Sequence, residues 1–178
     1  MKKTVVATVF ASLAMLATTN ALAVDGTIHF TGNILDSACN VTSGVAGTQT
    51  VALGNFAKSD LATAGMTSAG TAFTVTLSGC PANGYTKASL KFDGTTVTSD
   101  NTLLALDTGQ TATGVGVQLL EQDGATPIAM RTDSVAKNLD LSASTAVTSL
   151  NFVARYKAFA GATAGTANAT TTFEVDYN

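Results

Sequence analysis

What most constrains this chain is the strict alternation of apolar and polar side chains in short runs, including one run at each end. Near the N-terminus, Gly26-Thr27-Ile28-His29-Phe30-Thr31-Gly32-Asn33-Ile34-Leu35 places Ile28, Phe30, Gly32 and Ile34 on one face. At the C-terminus, Thr172-Phe173-Glu174-Val175-Asp176-Tyr177 does the same with Phe173, Val175 and Tyr177, and only Asn178 follows. A period of two is the mark of a half-buried strand. The final run has no hairpin partner after it, so the expected sheet lacks a closing strand of its own. That points to assembly with another chain.

Between the ends the same pattern recurs. Alternating or apolar runs stand at residues 50–53, 72–77, 88–92, 114–120 and 149–156, and Asp93-Gly94 and Asp123-Gly124 follow two of them. Asp-Gly pairs between such runs mark tight turns. No stretch shows helical periodicity over two turns. Many short strands with this punctuation predict an all-β sandwich or barrel. Residues 58–70 read as a loop with one helical turn, and Ala158–Ala169, rich in Ala, Gly and Thr, as a loop between the last two strands. No internal repeat and no second domain boundary is visible beyond the N-terminal segments.

Residues 1–23 form a cleavable secretory signal by pattern: Lys2-Lys3, an apolar stretch from Val5 to Leu16, and Ala21-Leu22-Ala23. The apolar stretch is short for a membrane span, and charges and glycines interrupt every later apolar run, so no membrane insertion of the mature chain is expected. Lys2 and Lys3 leave with the signal, so 7 Lys/Arg face 12 Asp/Glu in the remaining 155 residues, a formal charge of −5. With no basic run, nucleic acid is not an expected partner.

Cys39 and Cys80 are the two cysteines, and export carries them to an oxidising compartment, where an even count reads as one disulfide. Catalysis has poor material. His29 is the single histidine and sits in a strand-like run, there is no Cys-x-x-Cys, and the carboxylate pairs Glu121/Asp123 and Asp93/Asp100 fall at turns, where they serve the backbone. No enzyme, cofactor, catalytic residue or metal site is expected. Asn40-Val41-Thr42 and Asn168-Ala169-Thr170 fit glycosylation sequons as chance matches.

Alternation by itself leaves two readings of residues 26–35: an ordinary first strand of this domain, or a strand given to a neighbour. Gly32, on the apolar face, permits close backbone approach in either case. The order of the runs carries a resemblance. Residues 26–35 ahead of Ala38-Cys39 are followed by Gln49-Thr50-Val51-Ala52-Leu53-Gly54, then Phe73-Thr74-Val75-Thr76-Leu77 ahead of Cys80. Gly114-Val115-Gly116-Val117-Gln118-Leu119 and Phe152-Val153-Ala154-Arg155-Tyr156 come next. The C-terminal pattern has Gly165 fourteenth from the end, Ala167-Asn168-Ala169, and a penultimate Tyr177. Over essentially the whole mature chain this resembles the type 1-like fimbrial major pilins of the bacterial chaperone–usher pathway.

The resemblance implies an incomplete immunoglobulin-like β-sandwich lacking its final strand and completed by a donor strand from another subunit. It divides the chain into a signal peptide (1–23), an N-terminal donor-strand extension (24–36) and a pilin domain (37–178). Ile28, Phe30, Gly32 and Ile34 become the donor strand. Gly165, Phe173, Val175, Tyr177 and Asn178 become the acceptor edge and chaperone contact. The implied partners are identical or related pilin subunits, a periplasmic chaperone and an outer-membrane usher, and the implied destination is a surface fimbria. A minor or adaptor pilin of the same pathway, and a secreted β-sandwich carbohydrate-binding protein, are the alternatives.

Overall fold

The computed structural model describes residues 27–31, 34, 38–45, 47–82 and 84–178. The expected signal peptide, Val24 to Gly26 and Gly32 lie outside the described residues. The chain divides into two units, Met1–Ile34 and Leu35–Asn178. In the first, the described residues adopt neither helix nor strand.

The second unit contains nine strands among its described residues: β1 (Asn40–Val41), β2 (Thr71–Ser78), β3 (Lys87–Asp93), β4 (Thr96–Val97), β5 (Asp100–Leu104), β6 (Val115–Glu121), β7 (Lys137–Asn138), β8 (Val147–Ala158) and β9 (Thr172–Tyr177). One 3-10 turn, Lys58–Leu61, supplies the helical turn expected in the 58–70 loop. The strands form a six-stranded sheet, β1-β2-β8-β6-β5-β4, and a three-stranded sheet, β7-β3-β9, with antiparallel neighbours throughout.

Period two decides what each strand buries. Val75 and Leu77 of β2, Ala88, Leu90 and Phe92 of β3, Val117 and Leu119 of β6, and Leu150, Phe152 and Ala154 of β8 all join one core between the sheets. Phe92, 1 % exposed, is its centre. Its ring meets Phe152 edge-on at 5.3 Å, Phe73 at 6.4 Å and Phe173 at 6.3 Å. Aromatic pairs at such angles add to what burial of the rings alone contributes. A smaller cluster of Leu61, Ala112, Val115 and Ala158 extends the packing beyond one end of β8.

Four strands escape the sequence reading. β1, β4 and β7 have two residues each, too few to show a period. In β5, Leu103 and Leu104 are adjacent and both buried, so a strand covered on both faces shows no alternation. β6 is likewise buried on both sides, and a side chain at Gly116 would place its Cβ 2.6 Å from the Leu104 carbonyl oxygen. Conversely, residues 50–53 belong to no sheet. Their alternation turns Val51 and Leu53 inward, and among the described residues no strand pairs with their backbone.

Candidate functional site

β9 lies at the edge of the three-stranded sheet and, among the described residues, pairs only with β3, from Asp93↔Thr172 to Ala88↔Tyr177. Just past it, the Lys87 N–H donates to the Asn178 carbonyl at 3.0 Å, and the Asn178 N–H donates back to Lys87 at 3.0 Å. This is a hydrogen-bonded pair, and such pairs alternate along an antiparallel ladder. Thr172, Glu174, Asp176 and Asn178 therefore direct their backbone groups at β3. Phe173, Val175 and Tyr177 direct theirs outward, along the open edge.

Those three residues also turn their side chains onto the core, where each remains half-buried. Unpaired main-chain donors and acceptors thus coincide with incompletely covered apolar side chains. An edge of this kind is a template for one more strand. A second extended stretch shares both properties. Residues 49–56 make no backbone hydrogen bond among the described residues, while Leu53 packs on the same core and Phe56 meets Tyr156 edge-on at 6.1 Å.

The C-terminal end of β9 is tied to the beginning of the domain. The Tyr177 hydroxyl accepts a hydrogen bond from the Cys39 N–H at 3.1 Å, and its ring lies 4.7 Å from that of Tyr85. Burial pushes the Tyr177 phenol up from its ordinary pKa. Cys39 and Cys80 form the expected disulfide, closing a 41-residue separation at the same end of the sandwich. Asn178 is held to Thr86 and Lys87 by its main chain, with its carbonyl accepting from both N–H groups.

Gly165 stands apart from the other residues expected at this edge. It lies before β9, where the 161–170 segment is laid against residues 107–114. A Cβ at Gly165 would sit 2.4 Å from the Ala112 nitrogen and 2.5 Å from the Thr111 hydroxyl. Thr111 and Ala112 donate their N–H groups to Thr166, the Thr166 N–H donates to the Thr111 hydroxyl, and the Thr170 N–H donates to Asp107. The stretch is the loop expected from the sequence, without helix or strand, and it is held along its length by these bonds. Its hydroxyl–backbone bonds leave no hydrophobic period to find.

In the N-terminal unit Ile28, Phe30 and Ile34 are 79 %, 92 % and 102 % exposed. Three large apolar side chains at alternate positions in water call for a cover.

The outer face of the edge is charged. Lys91 sits opposite Glu174 on the ladder, yet its ammonium lies 2.7 Å from Asp176 and 3.3 Å from Asp133. The Lys91 hydrogen bond, and after it the contact with Asp133, hold the Asp176 carboxyl below the usual carboxylate range. Glu174 forms no salt bridge among the described residues. The carboxylates that a catalytic reading would use are engaged elsewhere. Asp93 pairs with Arg131 at 2.8 Å and Asp100 with Lys157 at 3.1 Å. Glu121 accepts from the Val135 N–H, and Asp123 closes its own turn through Ala125 and Thr126. Among the described residues no cluster of three metal-ligating side chains occurs.

Known proteins are similar to this chain in sequence and in fold. The fimbrial protein family model matches residues 28–178. The type-1 fimbrial protein subunit of Serratia marcescens is 40 % identical across 94 % of this chain and 95 % of its own length. Among solved structures, the P pilus rod subunit PapA aligns with a TM-score of 0.65 at 20 % identity, covering 80 % of this chain and 100 % of its own. A subunit of a chaperone–usher pilus also aligns at 0.65, with 21 % identity, covering 86 % of this chain and 95 % of its own. The fold is that of an immunoglobulin-like sandwich whose smaller sheet ends in the open β9 edge.

Proposed function

Because this chain belongs to the fimbrial protein family, we propose that it is a structural subunit of a surface fimbria built by the chaperone–usher route, joined head to tail by donor-strand exchange. The carrying observation is the β9 edge. The residues that offer free backbone groups, Phe173, Val175 and Tyr177, are the ones whose side chains leave the core partly uncovered. Residues 24–35 have the complementary form, with Ile28, Phe30 and Ile34 exposed at alternate positions. Inserted beside β9, with the unpaired 49–56 stretch as the other wall, they satisfy the edge and cover the core. Each large side chain so buried contributes about 1.5–3 kcal/mol, and a main-chain ladder adds to this. Gly32 occupies the donor's apolar face where a side chain would overfill the groove.

Before assembly the same edge needs a temporary strand. A periplasmic chaperone fills that role in this reading, and an outer-membrane usher exchanges its strand for the next subunit's. Joining strands is a structural task, and no catalytic role is assigned.

Deleting residues 24–35 tests the reading. The truncated chain should fold with a chaperone yet never donate to a neighbour, and a peptide of residues 24–38 without Cys39 should raise its unfolding midpoint. A Gly32→Leu peptide should lose that effect. Chaperone-free polymers from the deletion would refute the assignment, as would a truncated domain indifferent to the peptide.

A further inference from the structure

We propose that each joint carries a charged contact on its outer face: the His29 side chain of the donated segment seats against Glu174 and Asp176 on the β9 edge of the receiving copy. The contact rests on the donor-strand reading above. The strand phase leads to it directly. Residues opposite each other across two strands point to the same side of the sheet. If Ile28, Phe30, Gly32 and Ile34 turn onto the receiving core beside Phe173, Val175 and Tyr177, then Thr27, His29, Thr31 and Asn33 stand on the outer face beside Thr172, Glu174 and Asp176. This holds for every in-phase register and for both strand directions.

Two of those three edge positions are carboxylates, and no basic residue lies on β9. One strand further in, the Lys91 ammonium is shared between Asp176 and Asp133, Lys87 sits beside Asn178, and Asp93, opposite Thr172, is paired with Arg131. Glu174 has no ion-pair partner among the described residues and is exposed. Residues 49–56, the other wall in that reading, contribute no ionisable side chain. Asp25 and Asp36 are the other charged side chains of the donor segment, and both are acidic. His29, exposed in the free chain, is therefore the one side chain on the incoming strand able to answer the acidic edge.

An imidazole titrates near pH 6.5 when unperturbed. Carboxylates beside an imidazole favour its charged form, so the contact stabilises the joint at low pH, where the ring is protonated, and the gain is lost as the pH rises and the ring becomes neutral.

The test uses polymers of the full chain in urea at low ionic strength, with subunit release measured at pH 5.5 and pH 7.5. Wild-type release should be about threefold slower at pH 5.5, the scale of an exposed cross-strand ion pair. His29→Gln should bring the ratio to one, and His29→Lys should be slow at both pH values. Glu174→Lys should reverse the ratio, and added salt should shrink it. Equal ratios in wild type and His29→Gln would overturn the contact. If residues 24–35 remain essential for polymers while those ratios are equal, donor exchange stands and only the contact falls. If chains lacking residues 24–35 still polymerise, both fall.

Discussion

Gly165→Ala should destabilise the sandwich, although the position is exposed and its backbone needs no left-handed conformation. The added methyl carbon would sit 2.4 Å from the Ala112 nitrogen and 2.6 Å from the Thr111 carbonyl carbon, both main-chain atoms. Neither can swing aside as a flexible side chain does, so the 161–170 arm must lift. Several hydrogen bonds lie within one residue of the clash, among them Thr111 N–H to Thr166 at 3.2 Å, Ala112 N–H to Thr166 at 3.0 Å, and Thr166 N–H to the Thr111 hydroxyl at 2.9 Å. Overfilling a tight site costs about 1–3 kcal/mol, and each weakened hydrogen bond up to about 1 kcal/mol more. Partial relaxation puts the sum near 2–3 kcal/mol, or roughly 5–10 °C in melting temperature for a domain of this size. Thermal unfolding of the full chain measures the shift, and amide exchange at Ala112 locates it. A variant within about 0.5 kcal/mol of wild type, the range of an inert surface change, would refute the reasoning. So would a loss of stability with Ala112 exchange unchanged.

Replacing Cys39 and Cys80 together with alanine should cost about 4 kcal/mol, from the chain entropy released by opening a 41-residue separation; urea unfolding under oxidising conditions measures it. Because Lys91 depresses the Asp176 pKa, the pair stabilises the fold above the ordinary carboxylate range, and its contribution disappears as the pH falls through the lowered value. Lys91→Met should therefore flatten the acid limb of a plot of urea midpoint against pH, and an unaltered limb would contradict the assignment. Phe92→Ala, at the centre of the core, should cost about 3–5 kcal/mol. Phe173→Ala should cost clearly less in the unjoined domain, because Phe173 is only half-buried there, and more once a strand covers it; comparing denaturation with and without the 24–38 peptide separates the two.

What the sequence disclosed follows the physics of period two. β2, β8 and β9 each turn one apolar face to the core, and β3 does so with the polar Ser89 buried on its other face, so Val75 and Leu77, Leu90 and Phe92, Leu150 and Phe152, and Phe173 and Val175 announce their strands by alternation. Strands only two residues long, or buried on both faces without a long apolar run, carry no such signature, which hid β1, β4, β5 and β7. The same ambiguity explains residues 50–53: their pattern reports which side chains turn inward, and whether the backbone pairs depends on a neighbour. At the candidate site, Phe173, Val175 and Tyr177 were legible from their phase, and the Cys39–Cys80 bridge from count and compartment. The bond from Cys39 N–H to the Tyr177 hydroxyl, spanning 138 residues, is a product of topology and leaves no local trace. Nor does the crowding at Gly165, which a glycine in an Ala/Gly/Thr-rich stretch conceals.

The most direct test of the open edge is amide hydrogen exchange, residue by residue along β9, in the domain lacking residues 24–35 and in polymers of the full chain. Glu174 and Asp176 direct their N–H groups at β3 and should be protected in both. Phe173, Val175 and Tyr177 direct theirs outward, and should exchange readily in the truncated domain and become strongly protected in the polymer. Protection of those three before any strand is supplied, or its absence in the polymer, would contradict the account.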